Sequence, residues 1–258
     1  LLSSFNDAKR ALQYLKFYSD KYNLLKSKVA LMGASAGATS SLWIGLQDDL
    51  SDKKSKDPIL RESTKVSCIV GIAAAHSLNL IRWKDMANVD EAYLKSIFEK
   101  YLGKMDTEKW MERSFNKNYI SEVDFFEKMD SNDPPIFIIN YGKNTKPKNI
   151  ADFHHNPLHA KLLKNRADSL KIKNVVYAPG IGIIDKSNKD MVDFIIKGRD
   201  YPLQDLSTLS TTSVTPSSTF ANIRGRSRQS AIRVSNSTGN FGWRLGDIRL
   251  ELRQDGKR

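Results

Sequence analysis

The chain is short of cysteine and histidine, and it has no long apolar run. Its only cysteine, Cys68, leaves no partner for an internal disulfide. Cys68 sits in Val66-Ser67-Cys68-Ile69-Val70, which predicts a small core residue rather than a nucleophile. No stretch approaches the ~18–20 apolar residues of a membrane-crossing helix, so no membrane span is expected. There are four histidines and none follows His159. No lysine or arginine lies between Tyr201 and Phe220. No nucleic-acid-binding motif accompanies the net charge of +12, which is read as a solvated basic surface. With 40% hydrophobic and 27% charged residues in a chain of 258, the composition suits one large domain, or a domain plus an appendage.

Against these absences stands one motif, Gly33-Ala34-Ser35-Ala36-Gly37. It follows the apolar run Val29-Ala30-Leu31-Met32, which predicts a buried strand, and precedes a helix expected over Ala38 to Gln47. A G-x-S-x-G between strand and helix is the pattern of a nucleophile elbow. The turn there is so sharp that the residues around the serine must be small, and glycines and alanines meet that demand. Such a turn lifts the hydroxyl off the sheet edge. It also points the first backbone amides of the helix, here that of Ala36, at any oxyanion that forms.

Ala8, Ala11, Leu12 and Leu15 fall at helical spacing, with Tyr18 and Tyr22 continuing the stripe. Lys65 to Ala73, Ile136 to Asn140 and Lys173 to Tyr177 read as buried strands. Helices are expected over Val89–Tyr101, Thr107–Phe115 and Glu122–Met129, from Pro157 through Leu170, and over Asp190–Lys197. Strands alternating with helices imply a parallel sheet covered on both faces, hence an α/β domain over residues 1–200. Residues 201–220 are crowded with serine and threonine and read as a linker. Residues 221–258 read as a short, basic, β-rich appendage too small for a large core. From 201 to 258 the chain holds nine Lys/Arg against four Asp/Glu, a balance suited to weak contact with polyanions. Asn236-Ser237-Thr238 fits a glycosylation acceptor, relevant only in a eukaryotic secretory host.

Several segments together resemble the esterase/lipase branch of the α/β-hydrolases. They are the helix from Asn6 to Tyr22, the Gly33–Gly37 motif, Asp57-Pro58-Ile59-Leu60-Arg61-Glu62-Ser63-Thr64-Lys65-Val66, Asp133-Pro134-Pro135-Ile136 and Phe153-His154-His155-Asn156-Pro157. Their order and spacing are similar to carboxylesterase-like and feruloyl-esterase-like members, over about residues 5–198. The resemblance implies an α/β-hydrolase-like fold, a small-molecule ester substrate, an apolar cleft for an acyl or aryl group, and no cofactor. It points to a secreted or periplasmic protein, the alternative being a cytoplasmic one. In that family strands precede the elbow strand, and a loop, often His-Gly-Gly-Gly, supplies a second oxyanion amide. Ser35 lies close to Leu1 and no such run exists, so the domain is expected to lack its N-terminal strands. In the appendage, Arg228-Gln229-Ser230-Ala231-Ile232-Arg233 and Gly242-Trp243-Arg244-Leu245 faintly resemble the end of a formylglycine-generating-enzyme-like domain.

The family order is Ser, then Asp or Glu, then His. The loop after Gly142, Lys143-Asn144-Thr145-Lys146, holds no carboxylate before Asp152, which becomes the candidate acid by default. The loop after the last strand, Ala178-Pro179-Gly180-Ile181-Gly182, has no histidine, a departure from the family pattern. His155, or else His154, is the candidate base, with a helix-entry role as the alternative for the pair. His159 reads as structural or exposed, His76 as a packing residue that could border the cleft, and Trp83 as packing or a pocket wall. Adjacent His154 and His155 do not converge on one ion, so no metal site is expected. Two functions stay open: a serine hydrolase of carboxylic esters through Ser35, or a vestigial, non-catalytic hydrolase-fold binding protein.

Overall fold

The computed structural model describes residues 2–102, 108–109, 112, 116–185, 191 and 194–195. All of them lie within the compact unit Leu1–Leu203. The linker 201–220, the appendage 221–258 with Asn236-Ser237-Thr238, and most of the expected Thr107–Phe115 helix lie outside the described residues.

The four apolar runs become four strands: β1 (Ala30–Ala34), β2 (Cys68–Ile72), β3 (Ile136–Ile139) and β4 (Asn174–Tyr177). They pair in parallel in the order β1-β2-β3-β4. Ala30 lies beside Cys68, Ile69 beside Ile136, and Ile136 beside Asn174. All four carboxyl ends therefore lie along one margin of the sheet, where the loops of open α/β sheets carry their sites. Short, nearly continuous apolar strands are what a sheet buried on both faces requires.

Helices supply the cover. Along the chain they are α1 (Leu2–Phe17), α2 (Ser19–Tyr22), α3 (Ala36–Gly45), α4 (Leu80–Ala87), α5 (Glu91–Leu102), α6 (Lys117–Val123), α7 (Phe125–Lys128), α8 (Ile150–His154) and α9 (Leu158–Ser169). One face of the sheet packs Ile69, Ile136, Ile138 and Val176 against Leu42 of α3, Phe98 of α5 and Leu163 of α9. The other packs Cys68, Val70, Phe137, Ile139 and Val175 against helical Phe194, with Met191 and Ile195 at its margin. Cys68 is fully buried in that second layer, and its small side chain suits the position.

Two helices were not expected from apolar spacing, α4 and α8. Each is started by an asparagine. Asn79 accepts the amide of Ile81, and Asn149 accepts that of Asp152. Both are short, and a cap satisfies orphan amides where a long apolar stripe is absent. The Glu122–Met129 helix is corrected to two pieces that break at Asp124. That buried carboxylate accepts Ser77 Oγ at 2.8 Å, Asn79 Nδ2 at 2.9 Å and Arg82 Nε at 2.7 Å. Arg82 also pairs with Glu127 and lies 5.2 Å from the Phe126 ring. The network fastens the loop after β2 to the α6–α7 break.

The stripe on the first helix is also corrected. Leu12 is buried, but Leu15, Tyr18 and Tyr22 are 44%, 37% and 42% exposed. The buried side of α1 instead carries polar Gln13 and Lys16. Gln13 Nε2 donates to the carbonyls of Leu60 and Glu62, and Lys16 Nζ to that of Lys65. These donors strap the 59–65 segment across α1. β1 has a neighbouring strand on one side only among the described residues.

Burial pushes the Asp133 carboxyl up to about 6, offset only in part by the Asp130 amide that it accepts. Its folded value lies above the unfolded one of about 3.9, so ionisation opposes folding. The stability it contributes is complete below pH ~4 and is lost as pH rises through about 6. Asp133→Asn keeps an acceptor for Asp130. It is expected to melt higher than the parent above pH 6, with the gain gone at pH 4, in thermal melts across that range.

Candidate active site

β1 ends in a turn that few side chains tolerate. Ser35 has φ 52° and ψ −119°, in the left-handed half of backbone space. Its amide still donates to Ile72 of β2 at 2.8 Å, so it finishes the ladder while the chain reverses into α3. The close approach explains Gly33: a Cβ there would sit 2.3 Å from the backbone carbon of Gly37. Gly37 differs. It has no positive φ, and a Cβ on it would meet nothing within 4 Å. Of the two motif glycines, only Gly33 is demanded by space. Ala36 opens α3, so its N–H has no intrahelical acceptor.

Thr39, one turn into α3, underpins the serine. Its hydroxyl donates to the Ser35 carbonyl at 3.1 Å and accepts the Ala75 amide at 3.2 Å. His154 Nε2 lies 3.5 Å from the same oxygen. With the hydroxyl proton committed to Ser35, His154 is the donor in that contact.

His155 caps the end of α8, and its Nε2 lies 2.8 Å from Ser35 Oγ. Of the two adjacent histidines, His155 faces the serine and His154 faces Thr39. Burial, and then the charge of His155, lowers His154 to about 4, so it is neutral near pH 7. Asp152 is not joined to the pair. Its Oδ2 accepts the Lys148 amide at 2.9 Å, which shapes the loop before α8, and no hydrogen bond links it to His155. Among the described residues no carboxylate hydrogen-bonds to His155. No group of three or more His, Cys, Asp and Glu among them is arranged to hold a metal ion.

Backbone ties hold the His155 segment from beneath. Asn140, at the carboxyl end of β3, donates through Nδ2 to the His155 carbonyl at 3.1 Å and accepts the Gly142 amide at 2.7 Å. A Cβ on Gly142 would stand 2.7 Å from the His155 carbonyl oxygen. Trp83 is buried, donates to the Ser77 carbonyl at 2.6 Å, and lies edge-on to His154 and His159 at 5.6 Å. It walls the histidine cluster from below and is packing. His76 and His159 are both buried. Thr39 and Asn140 escaped the sequence reading. The signals were present, a hydroxyl four residues beyond Ser35 and an amide ending an apolar run. Neither spacing names a role unless the fold brings the partner loop alongside.

A parallel sheet whose strand turns through a left-handed serine into a helix defines an α/β-hydrolase core. The BD-FAE family model matches residues 3–149, more than half of the chain, and the chain belongs to that feruloyl-esterase-like family of α/β-hydrolases. The match takes in Ser35 and ends before Asp152 and His155. Among solved structures, a truncated carbohydrate esterase from gut microbiota is 20% identical with a TM-score of 0.51, over 76% of this chain and 68% of that one. The acetyl ester-xyloside bifunctional hydrolase of Caldicellulosiruptor lactoaceticus is 19% identical with a TM-score of 0.48, over 67% of this chain. This chain spans about half of that structure, 54%. A thermophilic esterase of Thermogutta terrifontis is 13% identical with a TM-score of 0.42, over 75% of this chain and 62% of that one. No curated protein matches. Among the described residues no helix is long and apolar enough to cross a membrane.

The two motif glycines are expected to separate on substitution. Gly33→Ala forces backbone against backbone and is expected to lower the melting temperature sharply or leave the protein insoluble. Gly37→Ala fills open space inside a helix and is expected to leave stability unchanged or raise it by up to about 1 kcal/mol. Paired urea titrations read both.

Proposed function

We propose that this chain is a serine hydrolase of carboxylic esters, with Ser35 as nucleophile and His155 as general base. The carrying observation is the 2.8 Å contact between Ser35 Oγ and His155 Nε2, on a serine held at positive φ at the end of a sheet strand. The esterase family to which the chain belongs supports the reaction class.

In this reading His155 Nε2 takes the Ser35 hydroxyl proton as Oγ bonds to the ester carbonyl carbon. Negative charge gathers on the carbonyl oxygen, where the Ala36 N–H donates to it. The intermediate collapses, the carbon–oxygen bond to the alcohol breaks, and His155 returns the proton to the leaving oxygen. Water, deprotonated by the same ring, then releases the acid from Ser35. Among the described residues no carboxylate hydrogen-bonds to His155 to balance the imidazolium formed midway. Loss of that partner in a Ser-His-Asp triad costs about 10⁴-fold in rate, so turnover here is expected to be slow.

A vestigial, non-catalytic domain is the competing reading. It is favoured by the lack, among the described residues, of any hydrogen-bond partner for His155 Nδ1. A fluorophosphonate probe with adduct mapping decides between them. Labelling of Ser35 that disappears in Ser35→Ala and falls about 10³-fold or more in His155→Ala is expected. A folded chain that takes no label sinks the hydrolase reading. Asp152→Asn is expected to label within about threefold of the parent; a loss near 10³-fold would give Asp152 the orienting role after all.

A further inference from the structure

His76 and His159 are buried to 1% and 0% exposure, and the reaction above uses neither. Their hydrogen bonds fix the protons on both rings. His159 Nε2 lies 2.8 Å from the Phe153 carbonyl oxygen, which only accepts, so this nitrogen carries the proton. His159 Nδ1 is then bare. It faces two donors, the His76 amide at 3.3 Å and His76 Nδ1 at 2.7 Å. His76 is therefore the Nδ1–H tautomer. Proton direction runs one way, from the loop after β2, through α9, to the last turn of α8. A second proton on His159 would face two N–H groups, so the chain works only with a neutral His159. The apolar surroundings agree. The Phe126 ring stands edge-on to His76 at 4.9 Å, and Trp83 edge-on to His159 at 5.6 Å.

Phe153 is two residues before His155. Its carbonyl is held by His159, and the His155 carbonyl is held by Asn140 at 3.1 Å. The backbone that presents the imidazole to Ser35 is thus clamped on both sides by buried side chains. In a triad a carboxylate on Nδ1 orients the ring. Here no described carboxylate does so, and the clamp lies where orientation has to come from.

We propose that His159, locked in one tautomer by His76, is a positioning residue that aims His155 at Ser35 through the Phe153 carbonyl. The proposal rests on the serine-hydrolase reading for its activity readout and on geometry alone for its structural one. A misplacement of about 1 Å in such a pair costs on the order of 100-fold in rate.

Two substitutions at one site separate positioning from packing. His159→Gln reaches the Phe153 carbonyl with an amide donor. His159→Asn keeps an acceptor near His76 but is too short to reach Phe153. In the full chain, the fluorophosphonate labelling rate of Ser35 is expected to stay within about threefold in His159→Gln and to fall about 100-fold in His159→Asn, at matched melting temperatures. For hydrolysis of a short nitrophenyl ester the loss is expected in kcat, with KM within about twofold. Equal rates in the two folded variants, or losses that only track melting temperature, overturn the proposal. The second arm is the crystal structure of His159→Asn. Separation of Ser35 Oγ and His155 Nε2 beyond hydrogen-bond range is expected, and an unchanged 2.8 Å contact overturns the proposal. This arm is read even where the parent takes no label, so failure of the hydrolase reading and failure of the positioning role give different results.

Discussion

The architecture depends on one contact between backbones, the approach of Gly33 to Gly37 across the Ser35 turn. A non-glycine residue at positive φ costs about 1–3 kcal/mol and persists only where its surroundings over-determine it. Here they do. The Ser35 amide is spent on the β2 ladder, its carbonyl is held by Thr39, and α3 leaves the turn already packed on the sheet. That packing is as tight as the turn: a Cβ on Gly45 at the far end of α3 would meet Ile69 Cδ1 at 2.5 Å. Strand, turn and helix are packed as one piece, and the turn presents the serine hydroxyl to His155 Nε2.

The partner of that hydroxyl is built by a different principle. His155 ends a helix of five residues and is placed by what holds the backbone under it. Asn140, His159 and, behind them, His76 and Trp83 form a floor of neutral hydrogen-bonding groups. A neutral floor suits a buried location, since each group is satisfied without a charge being taken out of water. Among the described residues it comes without the electrostatic help of a carboxylate on His155. The site combines firm geometry with weak electrostatics, whereas in a Ser-His-Asp triad one carboxylate supplies both orientation and charge.

Much of this was legible in the sequence. Four apolar runs gave four parallel strands within a residue or two at most ends, because a strand buried on both faces carries an unmistakable composition. Ser35 was legible because small residues crowd a turn that only small residues can make. Less legible were α4 and α8, whose signals are single capping asparagines, and the apolar stripe of α1, which periodicity alone assigns to a core. The histidines mark the limit of reading along a chain. His154 and His155 are equivalent as letters, and which of them meets Ser35 is decided by the helix phase at the end of α8. That phase is in turn set by Asn149 at one end and by the His159 and Asn140 ties at the other. Asp152 is the first carboxylate along the chain after the Gly142 loop. Its oxygen is occupied by the Lys148 amide, a local bond that sequence distance makes probable and function does not require.

The outer margin of β1 has a meaning of its own. Val29 and Ser35 are bonded toward β2, so the alternation of the ladder turns the amides and carbonyls of Ala30, Met32 and Ala34 the other way. Among the described residues no strand receives them. Of the ten large apolar side chains exposed among the described residues, eight lie between Tyr14 and Met32, the stretch of chain that leads into and through β1. Open hydrogen-bonding groups flanked by greasy side chains form a template, and a template does not distinguish between a strand of its own molecule and one from another. The strand that delivers the chain to Ser35 thus has, among the described residues, one open margin through which a further strand could add.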